Sequence, residues 1–180
     1  MPPPVETEIK LRMEGPDSAR RAVTALGATL EGARHLEDNI LYDDAHSSLY
    51  AAGQALRLRR AAGRAIVTHK GPRQERGDGV KSRPETETEV SDADAFHAIL
   101  SALGYRKVFR YQKYRETYHW RDVEIVVDET PIGTFLEIEG PAATIHEAAR
   151  ALGRPRADYI ADSYATLFLA SGGTGDMVFP

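Results

Sequence analysis

The chain has 180 residues, a formal net charge of -4 and no cysteine. One domain with a substantial core is the expected size class, and disulfides, thiolate metal centres and cysteine nucleophiles are excluded. The acidic balance gives no reason to expect nucleic acid as a partner. No apolar run approaches the roughly 20 residues that span a bilayer, so no membrane association is expected either. Met1 to Pro4 leads directly into a charged stretch with no signal-peptide pattern, and a cytoplasmic location is the expectation.

The first element alternates strictly: Glu6, Glu8 and Lys10 lie on one face, and Val5, Thr7, Ile9 and Leu11 on the other. In a strand, residues two apart share a face, so two carboxylates and an ammonium stand in a row on an apolar back. Gly15-Pro16-Asp17 ends this strand and opens a helix running to about Gly27. Residues 29–44 read as extended. Gln54–Arg59 alternates again, with Arg57 and Arg59 together, and Gly63 turns the chain into the strand Ala65–Lys70. The glycine-containing, charged segment 71–82 reads as a mobile loop. Arg83, Glu85, Glu87 and Glu89 then share a face, with Pro84 at a strand-start or edge position.

Ser91 or Asp92 caps a helix that ends at Gly104. A long extended region follows, with Lys113 and Arg115 on one side. Val123–Asp128 is the next strand, and Pro131-Ile132-Gly133 turns into Thr134–Glu139, where Glu137 and Glu139 share a face. Helices are expected at about 143–152 and 158–170. Residues 1–170 form one domain, and 171–180 read as a flexible tail.

Five strands thus carry like-charged pairs at i, i+2: Glu6/Glu8, Arg57/Arg59, Glu85/Glu87, Lys113/Arg115 and Glu137/Glu139. Helices with apolar faces pack on the apolar strand faces, so the charged faces look the other way. An open sheet with a wet charged face or a closed barrel with a charged lumen satisfies this. Closure also removes exposed edges. Converging carboxylates call for a hard divalent cation with oxygen ligands, and the basic set calls for a polyanion such as a phosphate chain. The histidines show no metal-ligand spacing, and His69 points away from the lumen if Lys70 points in.

Glu6-x-Glu8-x-Lys10 resembles the ExExK signature of the CYTH family, the triphosphate tunnel metalloenzymes. Further matches follow at Tyr42-Asp43, Ala55–Arg59, His69-Lys70-Gly71-Pro72, Arg83-x-Glu85-x-Glu87, Lys113-x-Arg115-x-x-Tyr118, Asp128-Glu129 and Gly133–Glu139. Ser163-Tyr164 is similar to the branch that contains class IV adenylate cyclases. The resemblance implies an α+β fold: a closed eight-stranded antiparallel barrel with helices outside. It implies that Glu6, Glu8, Asp128, Glu137 and Glu139 hold one or two Mg²⁺ or Mn²⁺ ions. Lys10, Arg57, Arg59, Lys70, Lys113 and Arg115 would grip the triphosphate, with Glu6, Glu8 and Lys10 as the catalytic set. Glu85 and Glu87 would hold metal or balance the arginines, Arg83 belonging to the same motif.

The implied substrate is a triphosphate-containing small molecule: ATP, tripolyphosphate or thiamine triphosphate. Hydrolysis leads. Class IV cyclases of bacteria tend to carry a His-Phe pair shortly before the first glutamate, whereas Met1 and three prolines precede Val5 here. Cyclisation of ATP is the alternative, and a non-catalytic polyphosphate or nucleotide binder is the rival from another class. A homodimer is expected from the cyclase relatives.

Overall fold

The computed structural model describes residues 3–75, 77 and 79–180. Among the described residues nine strands are present: β1 (Val5–Met13), β2 (Thr29–Asp43), β3 (Ala55–Ala61), β4 (Arg64–Lys70), β5 (Gln74–Glu75), β6 (Lys81–Val90), β7 (Arg106–Trp120), β8 (Val123–Thr130) and β9 (Gly133–Glu139). The pairing order β1-β9-β8-β7-β2-β3-β4-β6 returns to β1 through an antiparallel β1–β6 ladder, and β5 flanks β6. The fold is therefore a closed eight-stranded antiparallel barrel. Closure follows from β6, whose 81–84 half pairs with β1 while its 85–90 half pairs with β4.

Alternation sorts the side chains as the pleat demands. Ile9, Leu11, Ile125, Val127, Leu136 and Ile138 point outward. They form one core with Ala19 and Val23 of α1 (Pro16–Ala25) and Ile145, Ala148 and Ala149 of α4 (Ala142–Ala151). Each such side chain, fully removed from water, contributes about 1.5–3 kcal/mol. A second outer core sets Tyr42, Leu58 and Val67 against Leu100 and Phe96 of α3 (Ala93–Ala102). Asp92 caps α3, its carboxylate accepting from the Asp94 and Ala95 N–H groups. The short α2 (Ser48–Ala51) was not foreseen. It is built on Asp43, whose carboxylate accepts from the backbone of Asp44, Leu49 and Tyr50. Gly140 is required where β9 ends: at φ 146°, a Cβ there would lie 2.8 Å from Val123 Cγ1 and 2.9 Å from the Asp122 carbonyl.

The C-terminal third departs from the sequence expectation. The helix expected over 158–170 is a 3-10 turn at Arg156–Asp158 followed by α5 (Tyr164–Ala170). Between them Ile160 bridges to β1, its N–H donating to the Lys10 carbonyl at 2.9 Å. A strand-like bond there is incompatible with helix continuation, and Ser163 restarts the helix by capping Thr166 N–H at 3.1 Å. Residues 171–180, expected as a flexible tail, pack on the barrel. Met177 is 1% exposed, exchanges backbone hydrogen bonds with Arg110 and Gln112, and covers β7 where β8 no longer pairs with it. The expected mobile loop 71–82 contains β5, and Arg76 and Asp78 within it lie outside the described residues.

Met177, Tyr111, Phe135 and Tyr164 form a third, inward-facing cluster with Leu41, Phe109, Leu167 and Phe168. Tyr111 shares its face with Lys113, and Phe135 with Glu137, so this cluster fills one end of the lumen. Truncating Met177 to alanine leaves a cavity there and lowers unfolding free energy by about 2 kcal/mol or more in urea titration. A change below about 0.5 kcal/mol would mean the tail is peripheral to the fold.

Candidate active site

Ladder register brings the charged pairs into one lumen. Glu8 lies opposite Glu139, and Lys10 opposite Glu137, on β1 and β9. Arg115 lies opposite Asp128 on β7 and β8, and Glu37 opposite Lys113 on β2 and β7. Arg57 faces Thr68, and Lys70 faces Glu85.

Two electrostatic zones result. In the first, cations saturate the carboxylates. Lys10 donates to Glu137 at 2.5 Å, Lys113 to Asp128 at 2.9 Å, and Arg115 to Asp128 at 2.7 Å through Nε and 2.6 Å through Nη2. Arg115 also donates to Glu137 at 2.5 Å, and Arg59 to Glu37 at 3.1 Å. Burial opposes ionisation of Glu137, but Lys10, Lys113 and Arg115 overcome it and hold that carboxyl well below the ordinary range. Burial likewise opposes the charge on Glu37, and Lys113, Arg115, Arg59 and Arg57 more than offset it. Arg57 donates to Thr68 at 3.0 Å, and Thr68 to Glu87 at 2.8 Å, which leaves Glu87 within 3.6 Å of Arg57.

The second zone is short of positive charge. Lys70 bridges Glu6 at 2.8 Å and Glu85 at 2.6 Å. Burial and a hydrogen bond with Glu85 raise Glu6. Glu85 is lowered: burial pushes it up, but the hydrogen bond from Glu6 and the charge of Lys70 prevail. Glu8 pairs with Lys81, which overcomes the cost of burial and lowers its carboxyl. Glu139 remains open to solvent by surface area, yet protein atoms crowd its carboxyl. That partial desolvation, followed by repulsion from Glu6, Glu8 and Glu124, raises it to about 8.

Every expected site residue lies on the lumen face, and all but Glu139 and Arg83 are paired there with a residue of opposite charge. Arg83 is spent on loop carbonyls, donating to Gly71 O at 2.6 Å and 3.0 Å and to Gly53 O at 3.3 Å. His69 turns outward to Gln54, as its neighbour Lys70 turns in. Three lumen residues were missed in the sequence. Glu37 lacks a like-charged i, i+2 partner, and Lys81, two residues before Arg83, falls in the glycine-containing segment read as a loop. Tyr164, noted in the sequence only for its likeness to the cyclase-containing branch and given no site role, enters the lumen and donates from its hydroxyl to Asp128 at 2.8 Å. Lys10 Nζ sits 4.5 Å above its ring.

For a divalent cation, the donor chemistry fits. Glu6, Glu8 and Glu139 offer hard carboxylate oxygens, and the raised carboxyls of Glu6 and Glu139 mark a place where positive charge is wanting. Among the described residues no group of three acidic or histidine side chains is already gathered around one point.

Glu139 carries a pH prediction. Its carboxyl titrates near 8 in the fold against 4.5 ordinarily, so between those values the folded state holds a proton that the unfolded chain has lost. Its contribution to stability is complete in acid and is lost as pH rises through about 8. The melting temperature of metal-free protein should fall across this range, and E139Q should flatten the decline. Equal slopes in the two proteins would contradict the assignment.

A protein-family model described as the CYTH domain matches residues 5–164. A candidate adenylate cyclase of Methanocaldococcus jannaschii is 29% identical over 149 residues, 82% of this chain and 83% of that protein. The adenylate cyclase CyaB of Aeromonas hydrophila is 29% identical over 136 residues, 74% and 67% of the two chains. A solved structure from Hippeastrum, an adenylyl cyclase candidate with a dominant triphosphatase activity, superposes with a TM-score of 0.67 at 21% identity. It covers 94% of this chain and 97% of its own, and at that identity the likeness concerns the fold alone. The family match spans nearly the whole barrel and both halves of the charged lumen, and this chain belongs to the CYTH domain family.

Proposed function

We propose that this chain is a divalent-metal-dependent phosphoryl-transfer enzyme that binds a triphosphate in its barrel and hydrolyses it. The observation that carries this reading is the pairing of the lumen: Lys10, Lys70, Lys113, Arg59 and Arg115 each hold a carboxylate at 3.3 Å or closer. A closed barrel keeps so many charges inside only if they compensate one another. A triphosphate supplies a competing set of anionic oxygens, for which arginine forks and lysine ammonium groups are suited.

Binding then amounts to an exchange of partners. Lys10, Arg57, Arg59, Lys70, Lys113 and Arg115 move onto phosphate oxygens. The carboxylates they release, Glu137 and Asp128 among them, would join Glu6, Glu8 and Glu139 as the oxygen donors that hold Mg²⁺ or Mn²⁺. When bound, such an ion polarises phosphate oxygens and neutralises developing charge. Glu85 and Glu87 stay as counter-charges for Lys70 and the arginines. In the transfer, a water oxygen attacks the terminal phosphorus and the bridging P–O bond breaks. The diphosphate leaves with the bond electrons, and a carboxylate of the acidic zone takes the water proton. Lys10 lies beside both Glu8 and Glu137, where it offsets charge gathering on the transferred group.

A second reading, cyclisation of ATP with release of pyrophosphate, is favoured by the names of the two curated relatives. The same charged lumen serves it, with the ribose 3′-hydroxyl as nucleophile at the α-phosphorus. For either reaction E8Q should reduce turnover to background while the fold is kept. Wild-type-like activity in E8Q would sink the assignment.

Partner exchange also makes metal and anion bind cooperatively. Mg²⁺ with tripolyphosphate should raise the melting temperature by more than the sum of the shifts each gives alone. Additive or absent shifts would contradict the exchange.

A further inference from the structure

Among the lumen side chains that bury a polar atom without a hydrogen-bond partner, which include Glu37, Arg57, Arg59 and Glu85, Asn39 is the one in which both side-chain polar atoms lack one. It is 0% exposed, and neither its amide nitrogen nor its amide oxygen has a hydrogen-bond partner. Leaving a buried donor or acceptor unsatisfied is costly, and such groups in native proteins call for an explanation. Its position suggests one. On β2 it shares the lumen face with Glu37 on one side and Leu41 on the other. Across the ladders it faces Arg59 and Tyr111. Next to it on the charged side are Glu37 and its partner Lys113. On the other side Leu41 and Tyr111 belong to the aromatic cluster of Phe109, Phe135 and Tyr164.

Asn39 therefore stands beside an aromatic-lined end of the lumen and among the cations, with Arg59 directly across from it and Arg57 across from Leu41. A phosphate oxygen satisfies its NH₂ group but leaves its carbonyl oxygen unpaired. A planar heterocycle with adjacent donor and acceptor atoms, as on a nucleobase or an aminopyrimidine, satisfies both. The aromatic side chains beyond it pack on one another in this contracted lumen, and a ring entering as the lumen opens would stack against them. The burial of Asn39 is no obstacle peculiar to it: Lys113 is only 3% exposed, so the lumen is contracted around its own ion pairs and must open for any triphosphate.

We propose that Asn39 reads the polar edge of a heterocycle at the organic end of the substrate, so that this tunnel selects organic triphosphates over tripolyphosphate. The proposal rests on the triphosphate reading above and adds the class of substrate and its orientation, organic end toward Tyr111. N39L removes both polar atoms at similar volume, and its comparison with wild type tests the idea.

With Mg²⁺, phosphate release and KM are measured for ATP, GTP, thiamine triphosphate and tripolyphosphate. Wild type should prefer at least one organic triphosphate. In N39L the ratio of kcat/KM for that substrate to kcat/KM for tripolyphosphate should fall about tenfold or more, chiefly through KM. The melting temperature should not drop, because no satisfied hydrogen bond is lost. Three results would overturn the proposal: a wild-type preference for tripolyphosphate, an equal loss on all substrates, or a lowered melting temperature with an unchanged ratio. The second would make Asn39 a phosphate contact, and the third would make it a structural residue paired through buried water. Failure of wild type to bind any triphosphate would instead refute the tunnel reading, which separates the two claims.

Discussion

The constraint on which this structure depends is charge compensation inside a closed barrel. Strand closure places carboxylates, ammonium groups and guanidinium groups in one confined space, where an unpaired ion costs several kcal/mol. The chain answers by matching charges across neighbouring ladders, as with Lys10 and Glu137 or Arg115 and Asp128. The match is complete at the Asp128 side and incomplete around Glu6, Glu8 and Glu139. That asymmetry gives the lumen a direction. One zone holds cations saturated by carboxylates, and the other holds carboxylates short of positive charge.

The same constraint explains the C-terminal segments. A barrel of strands this unequal in length leaves stretches of β1 and β7 without a neighbour. Ile160 bonds to β1, and Met177 bonds to β7. Between these two contacts α5 brings Tyr164 into the lumen, where its hydroxyl completes the hydrogen bonding of Asp128. Phe168 and Leu167 fill the space behind it with Phe109 and Met177. Closing one end with apolar side chains lowers the local dielectric, which strengthens the ion pairs next to it.

Strand alternation made much of the site legible in advance. Glu6, Glu8, Lys10, Arg57, Arg59, Lys113, Arg115 and Glu137 follow from a period of two, because a strand assigns faces by parity alone. What the sequence hid depends on contacts between distant segments. Glu37 lies in the run Glu-Asp-Asn, where no repeat marks it, and only the register with Lys113 reveals its role. Lys81 sits at the end of a glycine-containing segment that reads as loop chemistry. Tyr164 lies on a short helix whose inward direction is set by packing against the barrel end. The helix of 158–170 was overextended because its composition suits a helix, whereas a backbone bond to Lys10 claims Ile160. Glycines concentrate in 171–180 and suggest a tail, while burial of Met177 against β7 depends on a contact that sequence alone does not display.

The central claim is that this lumen binds and turns over a metal-complexed triphosphate. The most direct test is ³¹P NMR of the purified protein with ATP and Mg²⁺, following the products over time. Orthophosphate together with ADP is the predicted result, while pyrophosphate with a cyclic phosphodiester would replace hydrolysis by cyclisation within the same site. Unchanged ATP resonances, with no turnover of tripolyphosphate or thiamine triphosphate under the same conditions, would contradict the account.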